Sequence, residues 1–182
     1  MEYYELHPVT PQKRYINKAV EIIKNGGIII YPTDTVYGLG CDIFNREALE
    51  RLYMIKNESG TKLFSFIIPD FKEISKYAKV NDFAYRTMKK LTPGPYTFVL
   101  PAAKDVPKKL WTKRKTVGIR IPDNEIALEI AREVGNPIIS TSVTNRKGEL
   151  LYDQNEIRAI FNPQVDLMLA QSMAHSQPSS II

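Results

Sequence analysis

Short apolar runs alternate with helical stripes along this chain, which predicts a layered α/β protein. Thr10 and Pro11 predict the cap and the first residue of the first helix, and the Asn25-Gly26-Gly27 segment predicts its end. The fully apolar run 28–31 predicts a buried strand. The other expected helices cover 45–56, 71–77, 82–90, 125–134 and 156–161, and the other expected strands cover 63–68, 96–100, 116–121, 138–141 and 165–170.

The length and the order of these elements predict a single α/β or α+β domain over residues 1–182, with one mixed β-sheet and flanking helices. The strands after Gly27 and those near 63, 96, 116 and 138 should share this sheet, because each is a short apolar run bounded by Gly or Pro. Antiparallel neighbours are expected between 96 and 121, where no helix is evident. The terminal pair Ile181-Ile182 resembles a strand that has been cut short, so we expect the domain to continue beyond it.

Composition excludes several classes of protein. The 182 residues are 43% hydrophobic and 25% charged, which is typical of a globular chain and not of a disordered one. The apolar stretches fall far short of the roughly 18–20 residues of a membrane-spanning helix, and no secretory signal is visible. The single Cys41 can form no internal disulfide, so we expect a cytoplasmic protein. With only His7 and His175 beside it, a tightly bound metal is not expected.

The net charge of +5 is concentrated between Lys104 and Arg120. This basic block holds seven basic residues and one acid, so it carries +6 by itself. Such a block suits RNA or another polyanion, with Lys113, Arg114 and Lys115 as the candidate contacts. A solvated surface loop explains the same charges, and the sequence leaves both interpretations open. If the block binds the ligand, it should line or rim the pocket.

Two hydroxyl-rich segments follow predicted strands. The first contains Thr33-Asp34-Thr35, and the second runs from Ser140 to Asn145. Ligands of α/β folds bind at strand ends, where hydroxyl and backbone N–H groups can hold phosphate or carboxylate. On spacing alone, a turn is the default interpretation of the first segment, and a turn or a helix cap is favoured for the second. Neither a P-loop nor a G-x-G-x-x-G motif occurs, so any nucleotide site is of another kind.

Taken in order, several segments resemble the YrdC/YciO-like family, the threonylcarbamoyl-AMP synthase superfamily. They are GGIIIYPTDTVYGLGCD at 26–42, IK at 55–56, TPGPYTFVL at 92–100, TVGIRIPD at 116–123, NPIISTS at 136–142 and QPSSII at 177–182. The first segment is the most specific, and the resemblance extends from Gly26 to Ile182. It implies a twisted open α/β sheet with a deep, positively charged concave face.

Synthases of this family join L-threonine, bicarbonate and ATP into threonylcarbamoyl-AMP and pyrophosphate, for the modification of an adenosine in tRNA. By this resemblance Lys56 would be the catalytic residue and would neutralise the negative charge of the ATP phosphates, with Thr97 and Ser142 near the nucleotide. The resemblance implies that ATP is a substrate and binds with Mg²⁺. Arg120 would pair with the carboxylate of L-threonine. The other residues that the resemblance assigns to threonine are Thr35, Thr141 and Ser179. All of these side chains should converge on one concave pocket.

Two positions depart from the synthase pattern. Synthases read K-x-R after the second helix, whereas this chain reads Lys56-Asn57-Glu58, and an acid there would repel a triphosphate. Synthases read S-x-N in the later motif, whereas this chain reads Ser142-Val143-Thr144. The run Lys113-Arg114-Lys115-Thr116-Val117-Gly118 and the residues that follow Thr141-Ser142 resemble the YciO branch of the family. The two departures leave two hypotheses: a threonylcarbamoyl-AMP synthase of weak or altered activity, and a nucleotide- or double-stranded-RNA-binding relative that has lost the synthesis.

Overall fold

The computed structural model describes residues 1–56, 64–104, 106, 110, 114–172 and 177–182. These residues form one mixed sheet of nine strands with six helices. The strands are β1 (Glu2–Glu5), β2 (Ile29–Tyr31), β3 (Gly38–Asp42), β4 (Ser65–Ile67), β5 (Tyr96–Pro101), β6 (Thr116–Arg120), β7 (Ile138–Ser142), β8 (Leu167–Ala170) and β9 (Ser180–Ile181). The helices are α1 (Lys13–Lys24), α2 (Arg46–Lys56), α3 (Ile74–Tyr77), α4 (Asp82–Leu91), α5 (Glu125–Val134) and α6 (Gln154–Phe161).

The strands lie in the order β1-β8-β2-β3-β7-β4-β6-β5-β9. Neighbours pair in parallel at β1/β8, β2/β8, β4/β6 and β5/β9, and antiparallel at β2/β3, β3/β7, β4/β7 and β5/β6. The prediction of one mixed sheet is therefore confirmed, as is the antiparallel pair between 96 and 121. No helix among the described residues has the length and apolarity needed to cross a bilayer.

Helices and apolar side chains cover both faces of the sheet. Successive side chains on a strand point to opposite faces, and those two residues apart share a face. On one face Ile29, Ile67 and Ile138 pack in a single apolar cluster with α1 and α5. On the other face Ile30, Phe66 and Ile139 pack in a second cluster, to which α2, α4 and α6 contribute. This alternation explains why runs such as 28–31 and 138–139 are apolar without interruption.

The helix boundaries follow local capping chemistry, with one correction to the sequence prediction. Helix α2 begins after Asn45, whose side-chain oxygen accepts a hydrogen bond from the Ala48 N–H at 2.9 Å. Helix α5 ends at Gly135 in the left-handed conformation, as predicted. The predicted cap at Thr10 is wrong, because α1 begins at Lys13. The N–H of Thr10 instead donates to His7 Nδ1 at 3.1 Å, within a turn that precedes the helix.

Candidate functional site

A cavity of about 490 Å³ opens on the face of the sheet that carries α1 and α5. Its position follows from the strand alternation, because Ser65 and Ser140 lie two residues from the core residues Ile67 and Ile138. The same face of β4 and β7 is therefore packed against the core at one end and open to the cavity at the other. The lining residues are Thr33, Val36, Tyr37, Gly38, Lys56, Ser65, Thr97, Val99, Gly118, Arg120, Ser140, Thr141, Ser142, Thr144, Leu150, Pro178, Ser179 and Ile181.

Small residues on adjacent strands form the floor of this cavity. Ser140 on β7 lies opposite Ser65 on β4, which in turn lies opposite Gly118 on β6. A Cβ atom at Gly118 would lie 3.1 Å from the Thr97 side chain, and one at Gly38 would lie 3.0 Å from Ser140 Oγ. These short side chains leave the space that a ligand needs above the strands.

Arg120 at the end of β6 forms one wall of the cavity and is only 7% exposed. Its Nη2 donates to the carboxylate of Asp34 in an ion pair, to Thr35 Oγ1 at 2.7 Å and to Thr33 Oγ1 at 3.4 Å. These three acceptors lie in the loop between β2 and β3, although β2 and β6 are four positions apart in the sheet. Loop and arginine together therefore span the intervening strands and fix the plane of the guanidinium group.

The same ion pair leaves one donor and one acceptor without a partner. Arg120 Nε and Asp34 Oδ2 are both buried, and neither hydrogen-bonds to any of the described residues. A buried polar group left unpaired costs about 1–3 kcal/mol, and more when it is charged. The ion pair behind the cavity wall thus leaves one buried N–H donor and one buried carboxylate oxygen without partners among the described residues.

Lys56 brings a second cation to the cavity. It is the last residue of α2, and its Nζ donates to the carbonyl oxygen of Ser142 at 2.8 Å and to Thr144 Oγ1 at 2.6 Å. Helix α2 packs against the opposite face of the sheet, so the lysine reaches the cavity around the end of β7. None of the described lining residues is acidic, so Arg120 and Lys56 give the cavity an affinity for anions.

The end of the chain closes the remaining side. Thr97 Oγ1 on β5 and Ser179 Oγ lie 2.9 Å apart in a hydrogen bond, and both line the cavity. Strand β9 pairs with β5 in parallel, which holds Ser179 in place. Of the apolar terminal pair, Ile181 belongs to β9 and also lines the cavity.

Six of the seven residues predicted for ATP and threonine line this one cavity: Lys56, Thr97, Arg120, Thr141, Ser142 and Ser179. The seventh, Thr35, is buried behind Arg120 and contacts its guanidinium group instead. Glu58 lies outside the described residues.

The two described residues of the predicted RNA-binding set, Arg114 and Lys115, do not line the cavity. Arg114 and Lys115 are exposed and precede β6, whereas Arg120 ends it, and at about 3.3 Å per residue this separates Lys115 from Arg120 by about 17 Å. Lys113 lies outside the described residues. Of the described members of the basic block, Arg120 lines the cavity, whereas Lys104, Arg114 and Lys115 are not among its lining residues. That the block rims the cavity stays a prediction.

The sequence interpretation gave Asp34, Tyr31 and Ser140 no separate role in the site. Tyr31 is fully buried, and its hydroxyl donates to Ser140 Oγ on the cavity floor at 2.7 Å. Burial raises the pKa of Tyr31 well above its ordinary value, so the phenol remains a donor. The available signal was the Asp in Thr33-Asp34-Thr35, a charge directly after an apolar strand. No cluster of three His, Cys, Asp or Glu side chains suited to a metal occurs in the described part of the chain.

Comparison with known proteins places this fold and cavity in context. The Sua5–YciO–YrdC family model, whose description reads telomere recombination, matches residues 21–182. YciO from Escherichia coli strain K12 is 40% identical over 100% of this chain and 89% of its own length. A threonylcarbamoyl-AMP synthase from Coxiella burnetii is 34% identical over 85% of this chain and 83% of its own length.

Solved structures show the same fold. The crystal structure of E. coli YciO, at 40% identity, has a TM-score of 0.93 and is matched over 100% of this chain and 89% of that chain. Sua5 from P. abyssi, crystallised with L-threonine, has a TM-score of 0.92 at 23% identity, over 100% of this chain and 54% of that chain. At this lower identity the likeness shows the fold alone.

Proposed function

Because the chain belongs to the Sua5–YciO–YrdC family, we propose that it joins L-threonine, bicarbonate and ATP into threonylcarbamoyl-AMP and pyrophosphate. The observation that carries this proposal is the cavity itself, in which two cations, Arg120 and Lys56, stand among hydroxyl groups. Such a site suits one ligand with a carboxylate and another with phosphates. The synthase relative at 34% identity supports the same reaction.

In the proposed complex Arg120 binds the carboxylate of L-threonine. Its guanidinium plane is already fixed by the loop between β2 and β3, so little rotamer entropy is lost on binding. Thr35 acts by holding Arg120, while Thr141 and Ser179 offer hydroxyl groups from the cavity wall. The L-threonine bound to P. abyssi Sua5 supports the choice of amino acid.

The nucleotide is proposed to lie near Lys56. This lysine, with Ser142 and Thr97 also lining the cavity, would contact the phosphates of ATP, which enters as its magnesium complex. The nitrogen of threonine attacks the carbon of bicarbonate, water leaves, and a carbamate forms. A carbamate oxygen then attacks the α-phosphorus of ATP, and pyrophosphate leaves. The protein supplies position and positive charge, and no covalent enzyme intermediate is required.

The two departures from the synthase pattern lead us to expect slow formation of threonylcarbamoyl-AMP. Glu58 places a negative charge in the sequence where synthases carry an arginine, and Thr144 replaces an asparagine. Both changes concern the phosphate end, so we propose that the chain binds threonine normally and uses ATP slowly.

The direct test is to incubate the protein with ATP, L-threonine and bicarbonate, and to measure pyrophosphate and threonylcarbamoyl-AMP. We expect both products to depend on threonine and to be lost in Lys56→Met. Lys79→Met, which removes an exposed lysine outside the cavity, is the matched control. If neither product forms and calorimetry detects neither threonine nor ATP binding, the proposal is wrong.

A second function, the binding of RNA, has one observation in its favour. Arg114 and Lys115 are both exposed, so their charges are accessible to a polyanion that would not fit inside the cavity.

A further inference from the structure

We propose that Tyr31 is a positioning residue for the reaction: its phenol orients the Ser140 hydroxyl, and Ser140 donates a hydrogen bond to an oxygen of the bicarbonate that becomes the carbamate. This inference rests on the proposed function and gives both residues a role that the mechanism above does not assign. It begins from an aromatic ring that reaches across a whole strand of the sheet.

The Tyr31 ring lies across β3, the strand between β2 and β7. Tyr31 ends β2 and is fully buried, and its hydroxyl reaches Ser140 Oγ on β7 at 2.7 Å. A Cβ atom at Gly38 would lie 3.0 Å from Tyr31 Cζ, and one at Gly40 would lie 3.4 Å from Tyr31 Cε1. The two glycines of β3 therefore make room for a ring that joins the strands on either side of them.

This contact fixes the direction of hydrogen bonding at Ser140. A phenol is a stronger acid than an aliphatic alcohol and is the better donor of the two, and the Tyr31 hydroxyl donates to Ser140 Oγ. Ser140 therefore uses its own hydrogen elsewhere, and none of the described residues accepts it. Since Ser140 lines the cavity and is only 4% exposed, that hydrogen is available to a bound ligand rather than to bulk water.

The register of the sheet places Ser140 between the two cations of the cavity. Through β4, Ser140 lies level with Gly118, two residues before Arg120. In the opposite direction, two residues along β7, lies Ser142, whose carbonyl oxygen accepts from Lys56. Each of these steps spans about 7 Å. In the proposed complex threonine binds at Arg120 and the phosphates lie near Lys56, so the bicarbonate that joins them lies above Ser140.

A directed donor at this point assists carbamate formation. As the nitrogen of threonine attacks the carbon of bicarbonate, negative charge grows on the oxygen atoms of that carbon. The nitrogen–carbon bond forms, and the bicarbonate hydroxyl leaves as water with one proton of the amine, while the Ser140 proton stays on the serine. Ser140 thus supplies a hydrogen bond that strengthens along the reaction, and Tyr31 acts by holding that hydrogen toward the cavity.

The test measures threonylcarbamoyl-AMP formation by the full chain against bicarbonate concentration, in buffers depleted of carbon dioxide and at saturating threonine and ATP. We expect Ser140→Ala to lower kcat/KM for bicarbonate by about tenfold to a hundredfold, the range for a hydrogen bond to a charged group. Tyr31→Phe should lower it by about threefold to tenfold, since Ser140 keeps its hydrogen but loses its orientation. The KM for L-threonine should change by less than about threefold in both variants.

The double variant distinguishes positioning from packing. If Tyr31 acts through Ser140, Tyr31→Phe lowers kcat/KM no further once Ser140 is alanine, whereas a tyrosine that only stabilises the fold costs the same in both backgrounds. Tyr77→Phe, at a buried tyrosine outside the cavity lining, is the matched control and should leave kcat/KM unchanged. Urea unfolding checks that each variant is folded in the assay. Tyr31→Phe keeps the ring over β3, so it remains a test if Ser140→Ala does not fold.

The outcomes separate this inference from the proposed function. If the parent protein forms no threonylcarbamoyl-AMP, the proposed function fails and this inference fails with it. If the parent forms the product, but Ser140→Ala and Tyr31→Phe each keep kcat/KM for bicarbonate within about twofold of the parent, only the roles of these two residues are wrong. If Tyr31→Phe costs the same with and without Ser140, the positioning role of Tyr31 is wrong.

Discussion

The ammonium group of Lys56 donates a hydrogen bond of 2.6 Å to Thr144 Oγ1. The second acceptor, the carbonyl oxygen of Ser142, belongs to the backbone and cannot be altered by substitution at that residue. Thr144 is therefore a side-chain partner of Lys56 that substitution can remove. In the synthase pattern an asparagine stands at this position, so the departure at Thr144 changes a direct partner of the proposed catalytic lysine.

The first prediction concerns Thr144→Val, which keeps the shape and removes the acceptor. We expect ATP binding to weaken by about 1–2 kcal/mol, roughly fivefold to thirtyfold, because Lys56 loses a hydrogen-bond acceptor at the cavity. Threonine affinity should not change, since Thr144 is not among the proposed partners of threonine, which are Arg120, Thr141 and Ser179. Isothermal calorimetry with each ligand in turn measures both effects.

Thr87→Val is the matched control for this change. Thr87 Oγ1 donates to the Phe83 carbonyl oxygen on the exposed helix α4 and does not line the cavity. Equal ATP affinity in the Thr144 variant, the Thr87 variant and the parent would show that Thr144 does not position Lys56 for phosphate.

The second prediction concerns Glu58, which lies outside the described residues and is argued from the sequence alone. Glu58→Arg restores the synthase pattern and changes the charge near Lys56 by two units. Two unit charges about 4 Å apart interact by about 4 kcal/mol at an effective dielectric of about 20, so ATP binding should tighten at least about tenfold. The output of threonylcarbamoyl-AMP should rise with it.

Glu21→Arg makes the same change in net charge on the exposed side of α1 and should leave ATP binding as it is. Calorimetry at low salt distinguishes the two variants. If Glu58→Arg binds ATP no better than Glu21→Arg, the charge at position 58 does not decide the chemistry.

Much of the fold could be predicted because most strands are short apolar runs between Gly and Pro. Strand β3 was missed, since Gly38 and Gly40 are typical of a turn. The structure gives the reason for a glycine there: a Cβ at Gly40 would lie 2.6 Å from the Ile139 carbonyl oxygen on β7. Gly40 is thus required by close packing against β7, a strand almost a hundred residues away in the sequence. Strand β1 was missed for a related reason, because its pairing with β8 joins the two ends of the chain.

Site residues that belong to a sequence motif could be predicted. Contacts that depend on the order of the strands in the sheet could not. Lys56, Arg120 and Ser142 could be named from the family resemblance. The contact between Arg120 and Asp34 joins strand ends four positions apart in the sheet, and no local pattern indicates that they meet. The basic block shows the same limit, because Arg114 and Lys115 precede β6 and do not line the cavity, whereas Arg120 at the end of β6 does.

The third prediction tests RNA binding. Replacing Lys113, Arg114 and Lys115 together with glutamate should weaken the binding of double-stranded RNA and reduce its salt dependence, because fewer counterions are released. Filter binding across a salt series measures both. A control with Lys72, Lys79 and Lys147 replaced by glutamate changes the charge equally at scattered exposed sites. If both triple variants bind RNA alike, only net charge matters and the block is a solvated loop.

The last prediction concerns the pH dependence of stability at Cys41, the single cysteine. Burial in β3, helped by the neighbouring charge of Asp42, raises the pKa of this thiol from 9.0 to about 12. Below pH 9 the thiol is neutral in the folded and unfolded states alike. Between pH 9 and about 12 the unfolded chain releases this proton and the folded protein keeps it, so the free energy of unfolding should fall as pH rises. The contribution of one such group is at most about 1.4 kcal/mol per pH unit.

Cys41→Ala removes this contribution while keeping a small apolar side chain in β3. Urea unfolding under reducing conditions at pH 8, 9, 10 and 11 should therefore show a shallower loss of stability in the variant than in the parent. The buried Tyr31 phenol, whose pKa is also raised, acts in the same direction but is present in both proteins, so it cancels in the comparison. Parallel stability curves for the two proteins would show that the Cys41 thiol ionises alike in the folded and unfolded states, against the effect of its burial.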